Sequence, residues 1–216
     1  MSLYIVIPAH NEAKHIQKVV IQVREYCQNI VVVDDGSNDN TAQQAEEAGA
    51  LVLKDVINLG KGAALKTGCD YAFRNGASKV IAMDADGQHH AESIPHFKKA
   101  LDDHDIVFGY RTNSQVMPLV LKFGNWFINR TSRLLYKINL KDTQCGYRAF
   151  TIQAYHKIRW QSPDYSMESE MISKVGRHKL KYSEVPIQTI YSDKYKGTTV
   201  LDGAKIVLKM FWWRLN

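Results

Sequence analysis

Short apolar runs, each closed by a polar loop, dominate the first half of the chain. Leu3-Tyr4-Ile5-Val6-Ile7 is continuous and apolar up to Pro8, which predicts a strand buried on both faces. Ile16, Val19, Val20 and Val23 then recur at helical spacing, predicting a helix that runs to about Tyr26. Residues 30–33 predict a second strand, and the polar stretch Asp34-Asp35-Gly36-Ser37-Asn38-Asp39-Asn40-Thr41 caps a helix through Ala48. Gly49 stops that helix, and residues 50–53 predict a third strand. Asn58-Leu59-Gly60-Lys61-Gly62 leads into a helix over 63–73, followed by strands over 79–83 and 105–109, with Tyr110 and Arg111 leaving the last. This alternation predicts an α/β fold: a mainly parallel sheet flanked by helices in three layers. The polar loops after strands one, two and four then share the sheet's C-terminal edge, where such folds bind ligands.

The second half reads differently. Residues 116–138 predict a long helix, with Pro118 tolerated in its first turn. Lys122, Trp126, Arg130, Arg133 and Lys137 share one face, and Leu119, Val120, Phe123, Phe127, Leu134 and Leu135 fill much of the rest. Such a helix suits a membrane interface or an ordinary surface with a solvated basic side. Residues 167–179 predict a helix whose first turn carries Glu168 and Glu170, well placed against its dipole. A strand over 184–191, a lysine-bearing loop over 192–199 and an apolar segment over 204–215 complete the chain. In that last segment Phe211, Trp212 and Trp213 suit an interfacial anchor, packing on the core, or contact with a second subunit.

Charge separates the same two halves. Residues 1–108 hold 10 Lys+Arg against 15 Asp+Glu, net −5, whereas residues 109–216 hold 18 against 7, net +11. The segregation points to an anionic partner for the second half, whether lipid phosphate, membrane surface or nucleic acid, or else to a solvated basic face. Three scattered cysteines form neither a disulfide framework nor a zinc site and fit a reducing, cytosolic compartment. The N-terminus lacks the order of a signal peptide. No apolar run approaches the ~20 residues that span a bilayer, so membrane contact is expected to be peripheral.

Met83-Asp84-Ala85-Asp86-Gly87-Gln88 carries the sharpest chemistry. Two carboxylates one residue apart at a strand end repel each other unless a cation lies between them, and hard divalent ions accept such oxygens together with substrate phosphates. The alternative is a pair of turn-forming, helix-capping aspartates. Asp35 can accept hydrogen bonds from the N–H edge of uracil or guanine, while Ser37, Asp39 and Thr41 suit loop shaping and capping. Lys61, between two glycines at a helix start, can meet phosphate. The surrounding residues do not form a Walker A loop, and no G-x-G-x-x-G follows the first strand.

The segments IVIPAHNE, VVVDDGSNDNT, NLGKGAALKTG, VIAMDADGQH, FGYR and DTQCGYRAF, in this order from residue 5 to 150, with a weaker EVPIQTIY, resemble the family 2 glycosyltransferases of the GT-A fold. The likeness is strongest to the branch of dolichol-phosphate mannosyltransferase and bacterial polyprenyl-phosphate glycosyltransferases. It implies a Rossmann-like GT-A domain over 1–200, with a nucleotide-sugar half (1–110) and an acceptor half (111–200), then a C-terminal amphipathic helix (201–216). In that context Pro8, Ala9, His10, Asn11 and Glu12 line the nucleotide pocket with Asp35 on the base. Ser37, Lys61 and Ala85 join the nucleotide-sugar site, and Asp84, Asp86 and Gln88 hold Mg²⁺ or Mn²⁺ and the diphosphate. Arg111 approaches the diphosphate or an acceptor phosphate. Arg130, Arg133, Arg148, Glu168, Glu170, Lys194 and Lys196 belong to the acceptor side. For Arg148 a structural ion pair with Asp142 is the other reading.

The implied reaction moves a sugar, with inversion, from a nucleoside diphosphate sugar (GDP-mannose or a UDP-hexose) to a polyprenyl or dolichyl phosphate. Asp86 and Arg111 act at the reacting centre. A phosphate acceptor is already ionised near neutrality; a hydroxyl acceptor needs a base, for which Asp142 stands ahead of Glu168 and Glu170. The competing expectations are a transferase acting on a glycan or other hydroxyl, and a non-catalytic module that binds nucleotide sugar at a membrane surface. Nucleic acid is not an expected partner, because it would leave the nucleotide-pocket segments unexplained; a homodimer remains open. The expected location is cytoplasmic, peripheral on the membrane's cytoplasmic face.

Overall fold

The computed structural model describes residues 2–112, 119–188 and 200–215; for 119–125, 200–204 and 215 it describes the backbone alone. Seven strands form one sheet: β1 (Ser2–Ala9), β2 (Ile30–Asp35), β3 (Leu51–Asp55), β4 (Ala77–Ala82), β5 (Ile106–Arg111), β6 (Arg148–Thr151) and β7 (Tyr182–Ile187). Their order is β3-β2-β1-β4-β6-β5-β7. β6 runs antiparallel to both its neighbours, and every other pairing is parallel. The helices are α1 (Ile16–Arg24), α2 (Thr41–Glu47), α3 (Lys61–Arg74), α4 (Ile94–Ala100), α5 (Leu119–Tyr136), α6 (Ile152–Ile158), α7 (Met167–Arg177) and α8 (Val200–Leu215).

Strand alternation sends successive apolar side chains to opposite faces of the sheet. Ile5, Ile7, Val32 and Ile81 meet α1, α2 and α4 on one face, while Val6, Val33, Val80 and Phe150 meet α3, α6, α7 and parts of α5 and α8 on the other. Gly68 of α3 lies so close to the sheet that a Cβ there would stand 2.4 Å from Val6 Cγ1. The expected three-layer sandwich is therefore present.

Two details differ from the sequence reading. β6 sits in the middle of the sheet, where Arg148 lies opposite Ala82 of β4 and Phe108 of β5. This four-residue strand carries no long apolar run of its own to announce it. α5 buries Ile128, Ser132 and Tyr136, so Phe127 and Leu134, read as part of its apolar side, face solvent beside Trp126, Arg130 and Arg133. The predicted start of that helix at residues 116–118 lies outside the described residues, as do the end of the predicted final strand (189–191) and the loop at 192–199 with Lys194 and Lys196.

Candidate active site

The loops leaving β1 and β2 are tied to each other. Asn11, in a left-handed conformation (φ 53°), donates its backbone N–H to Ser37 Oγ at 2.9 Å, and its side-chain oxygen accepts from Asn38 N at 2.9 Å. Glu12 N donates to Thr41 Oγ1 at 2.8 Å, and Ala13 N to Asp39 Oδ2 at 3.2 Å. Asp39 Oδ1 also accepts from Thr41 N at 3.0 Å, the turn that starts α2. The His10 ring bonds the Asp35 carbonyl at 2.7 Å. These side chains satisfy loop amides that the sheet leaves unpaired, which fixes the rim formed by Pro8 and Ala9. Asp35 is buried, and its carboxylate accepts from Leu59 N at 2.6 Å and Gly60 N at 2.9 Å. It therefore organises the turn before α3. Gly36 (φ 64°) permits this closure, since a Cβ would stand 2.5 Å from Ile57 C.

β4 delivers Asp84 and Asp86 just past its end. Lys61, the first residue of α3, places Nζ 2.7 Å from Asp84 Oδ1 and 3.1 Å from Glu168 Oε1. Burial pushes the Asp84 carboxyl up, but the ammonium of Lys61, with His89 and Arg111, outweighs it and holds Asp84 below the usual carboxylate range. Asp86 moves the other way, raised by burial and by the charge of Asp84. Gln88 N donates to Asp86 Oδ1 at 2.9 Å, closing the turn around Gly87 (φ 72°). Gly146 comes so near that a Cβ would lie 2.4 Å from Asp84 Oδ2.

Among the described residues no three His, Cys, Asp or Glu side chains form a metal cluster. The donor chemistry nevertheless fits a hard divalent cation: two crowded carboxylates just past a strand end, one raised by the other's charge. A cation, Lys61, already sits against one of them.

Around this centre the residues expected on the acceptor side divide. Arg111 forms a two-point ion pair with Asp142, Nε to Oδ2 at 2.6 Å and Nη2 to Oδ1 at 3.0 Å. Burial opposes ionisation of Asp142, but Arg111 outweighs it and keeps the carboxyl below the usual range. Arg148 does not pair with Asp142. Its buried guanidinium donates to the carbonyls of Cys145, Glu168 and Thr143 at 2.7–2.9 Å and lies 5.2 Å over the Phe108 ring, so it braces the 142–148 segment from within. Glu170 accepts from Gln161 N, Ser162 N and Ser162 Oγ and pairs with Lys174 at 2.8 Å, a structural post. Arg130 and Arg133 are exposed on α5.

Sequence reasoning did not single out the ring stack under the site: Tyr147 lies between His89 (5.2 Å) and Phe97 (4.4 Å). Nor did it single out Gly146; a glycine directly before that aromatic was the available signal.

The model of the family described as glycosyl transferase family 2 matches residues 4–159. UDP-N-acetylglucosamine–dolichyl-phosphate N-acetylglucosaminyltransferase of Methanococcus voltae is 32% identical over 99% of this chain and 96% of its own. Polyprenol monophosphomannose synthase of Mycolicibacterium smegmatis is 30% identical over 96% and 83%. Among solved structures, glucosyl-3-phosphoglycerate synthase from Mycobacterium tuberculosis with phosphoglyceric acid superposes with a TM-score of 0.76 at 18% identity, covering 99% of this chain and 79% of that one. The same enzyme has also been crystallised with Mn²⁺, UDP and glucosyl-3-phosphoglycerate. The strand-end rim, the paired aspartates and these matches agree: the chain is a glycosyltransferase of GT-A fold and belongs to glycosyl transferase family 2.

Proposed function

We propose that this enzyme moves a sugar, with inversion, from a nucleoside diphosphate sugar to a polyprenyl or dolichyl phosphate, with a divalent cation at Asp84 and Asp86. One observation carries the choice of acceptor. The carboxylates available as a general base on the acceptor side are each held in an ion pair: Asp142 with Arg111, Glu168 with Lys61 and Glu170 with Lys174. A hydroxyl must lose its proton to such a group. A phosphate monoester, with its second pKa near ~6, arrives ionised and needs no base. The 32% and 30% identical relatives are named for dolichyl-phosphate and polyprenol substrates, which supports the same choice.

Pro8, Ala9, His10, Asn11 and Glu12 form the rim for the nucleoside, and Asp35 faces its base while holding the Leu59–Gly60 turn. Asp84, Asp86 and Gln88 hold Mg²⁺ or Mn²⁺, which when bound neutralises charge on the departing diphosphate. Arg111 presents a cation at the end of β5, oriented by Asp142 towards acceptor or donor phosphate.

The acceptor brings the enzyme to a membrane surface. No helix among the described residues is long and apolar enough to cross a membrane. Instead α5 and α8 pack side by side, tied by Tyr136 OH donating to the Met210 carbonyl. They expose Leu134 (78%), Leu208 (72%) and Trp212 (65%), together with Trp126 and Phe211. Lys137, Arg177 and Arg214 line a cavity of about 550 Å³ between these helices and α7. Apolar and aromatic side chains mixed with cations suit the headgroup region of an anionic bilayer.

The test is nucleotide release from a panel of UDP and GDP sugars, beginning with UDP-N-acetylglucosamine, with Mn²⁺ or EDTA. Each donor is paired with a short polyprenyl phosphate or the matching polyprenol. Release that needs both metal and phosphate supports the proposal; equal release with the polyprenol or with a soluble sugar overturns it.

A further inference from the structure

We infer that Lys61 is a resident counter-cation of the paired aspartates, one that yields Asp84 to a divalent ion while remaining anchored to Glu168. The inference rests on the reading that Asp84 and Asp86 bind such an ion. Three features of the fold lead to it. First, Lys61 cannot withdraw along its backbone. Cβ atoms on its neighbours Gly60 and Gly62 would stand 2.6 Å from the Pro163 carbonyl and 2.4 Å from that of Ser162, and Trp160 Nε1 holds the Gly62 carbonyl at 2.7 Å. Second, its ammonium bridges two carboxylates far apart in sequence, Asp84 at 2.7 Å and Glu168 at 3.1 Å. Third, the two carboxylates are unequally placed: the Glu168 side chain is 2% exposed and that of Asp84 25%. A buried carboxylate needs its partner more than one in reach of water, so Glu168 retains the lysine while Asp84 is the oxygen it gives up.

Lys61 thus holds Asp84 in place before the metal arrives, and its charge opposes that arrival. Once Asp84 turns to the metal, the Lys61 donors released from it are available to a diphosphate oxygen nearby. Glu168 is a positioning residue, acting through Lys61.

Mn²⁺ affinity without nucleotide, read as free Mn²⁺ by electron paramagnetic resonance, tests the handover. Lys61→Met should tighten Mn²⁺ binding about tenfold, the effect of removing one like charge within ~4–6 Å. Glu168→Gln should weaken it, because the lysine then has only Asp84. The double variant Lys61→Met/Glu168→Gln should bind as tightly as Lys61→Met, which also removes the concern that an unpaired Glu168 distorts the single variant. Unchanged or weaker binding in both Lys61 variants, while Asp86→Asn abolishes binding, overturns the counter-cation role and leaves the metal site intact. No Mn²⁺ binding by the wild type, or equal binding by Asp86→Asn, removes the metal site and this inference with it.

Discussion

Gly146→Ala places one methyl group against the paired aspartates. Its Cβ would lie 2.4 Å from Asp84 Oδ2, 2.6 Å from Oδ1 and 2.8 Å from Cγ. Ordinary contact begins near 3.4 Å, so carboxylate or loop must move by about 1 Å, and the Lys61–Asp84 contact at 2.7 Å goes with it. Misplacement of a catalytic group by about 1 Å costs roughly 10²-fold in rate, equivalent to about 2.7 kcal/mol of barrier. The fold should lose less: overpacking costs about 1–3 kcal/mol, and the lost freedom of the unfolded chain returns about 0.4–1 kcal/mol. Gly76→Ala is the control. It makes the same chemical change at φ +87° with nothing within 4 Å, so it should cost about 1–2 kcal/mol of stability with kcat/KM unchanged. Nucleotide-release kinetics and thermal melts on both variants separate the two effects. A folded Gly146→Ala enzyme with kcat/KM within about twofold of wild type, against the roughly 10² expected, would refute the role of Asp84 in holding the catalytic cation.

Arg111→Met leaves Asp142 buried and short of its main partner, a cost of about 3–5 kcal/mol at neutral pH. Because Arg111 holds the Asp142 carboxyl below 3.8, the folded state binds its proton more weakly than the unfolded chain. That stabilisation is present above 3.8 and lost as pH falls through the lower folded value, so the deficit in urea midpoint should shrink in acid; a constant deficit contradicts the pairing. Asp35→Asn removes the charged acceptor of the Leu59 and Gly60 amides. It should lower stability by about 1.5–3 kcal/mol and nucleotide affinity with it, read by melting and calorimetry; an unaltered melt separates the carboxylate from the turn. Leu208→Ser with Trp212→Ser should reduce sedimentation with anionic vesicles by at least about tenfold, since each buried apolar side chain contributes about 1.5–3 kcal/mol, while nucleotide binding persists. Unchanged sedimentation would move membrane contact elsewhere.

Local pattern made the first five strands and most flanking helices legible, because continuous β-branched runs and 3.6-residue periodicity state their burial within a few residues. The paired aspartates were legible for the same reason: they directly follow such a run. Partnerships were not. Lys61 and Glu168 are 107 positions apart, and nothing local distinguishes a glutamate that clasps a lysine from one that faces a helix dipole. Arg148 looked like a phosphate ligand because it follows a polar, glycine-bearing segment. Its actual partners are backbone carbonyls, which every residue carries and no sequence marks. β6 escaped for a related reason: its four residues take their place from neighbours on both sides, so pairing rather than composition defines the strand.

The antiparallel β6 has a consequence for dividing the protein. β5 belongs to the first 111 residues, yet both strands that flank it, β6 and β7, come from beyond residue 147. A fragment ending after β5 would therefore carry a strand with two bare edges and buried-type residues Ile106, Val107 and Phe108 laid open, a template for aggregation. Emerging from the ribosome, the chain must hold β5 in reserve until some seventy further residues have been made. The acidic first half and the basic second half can be told apart by charge, but they cannot be cut apart, shuffled or expressed as separate modules.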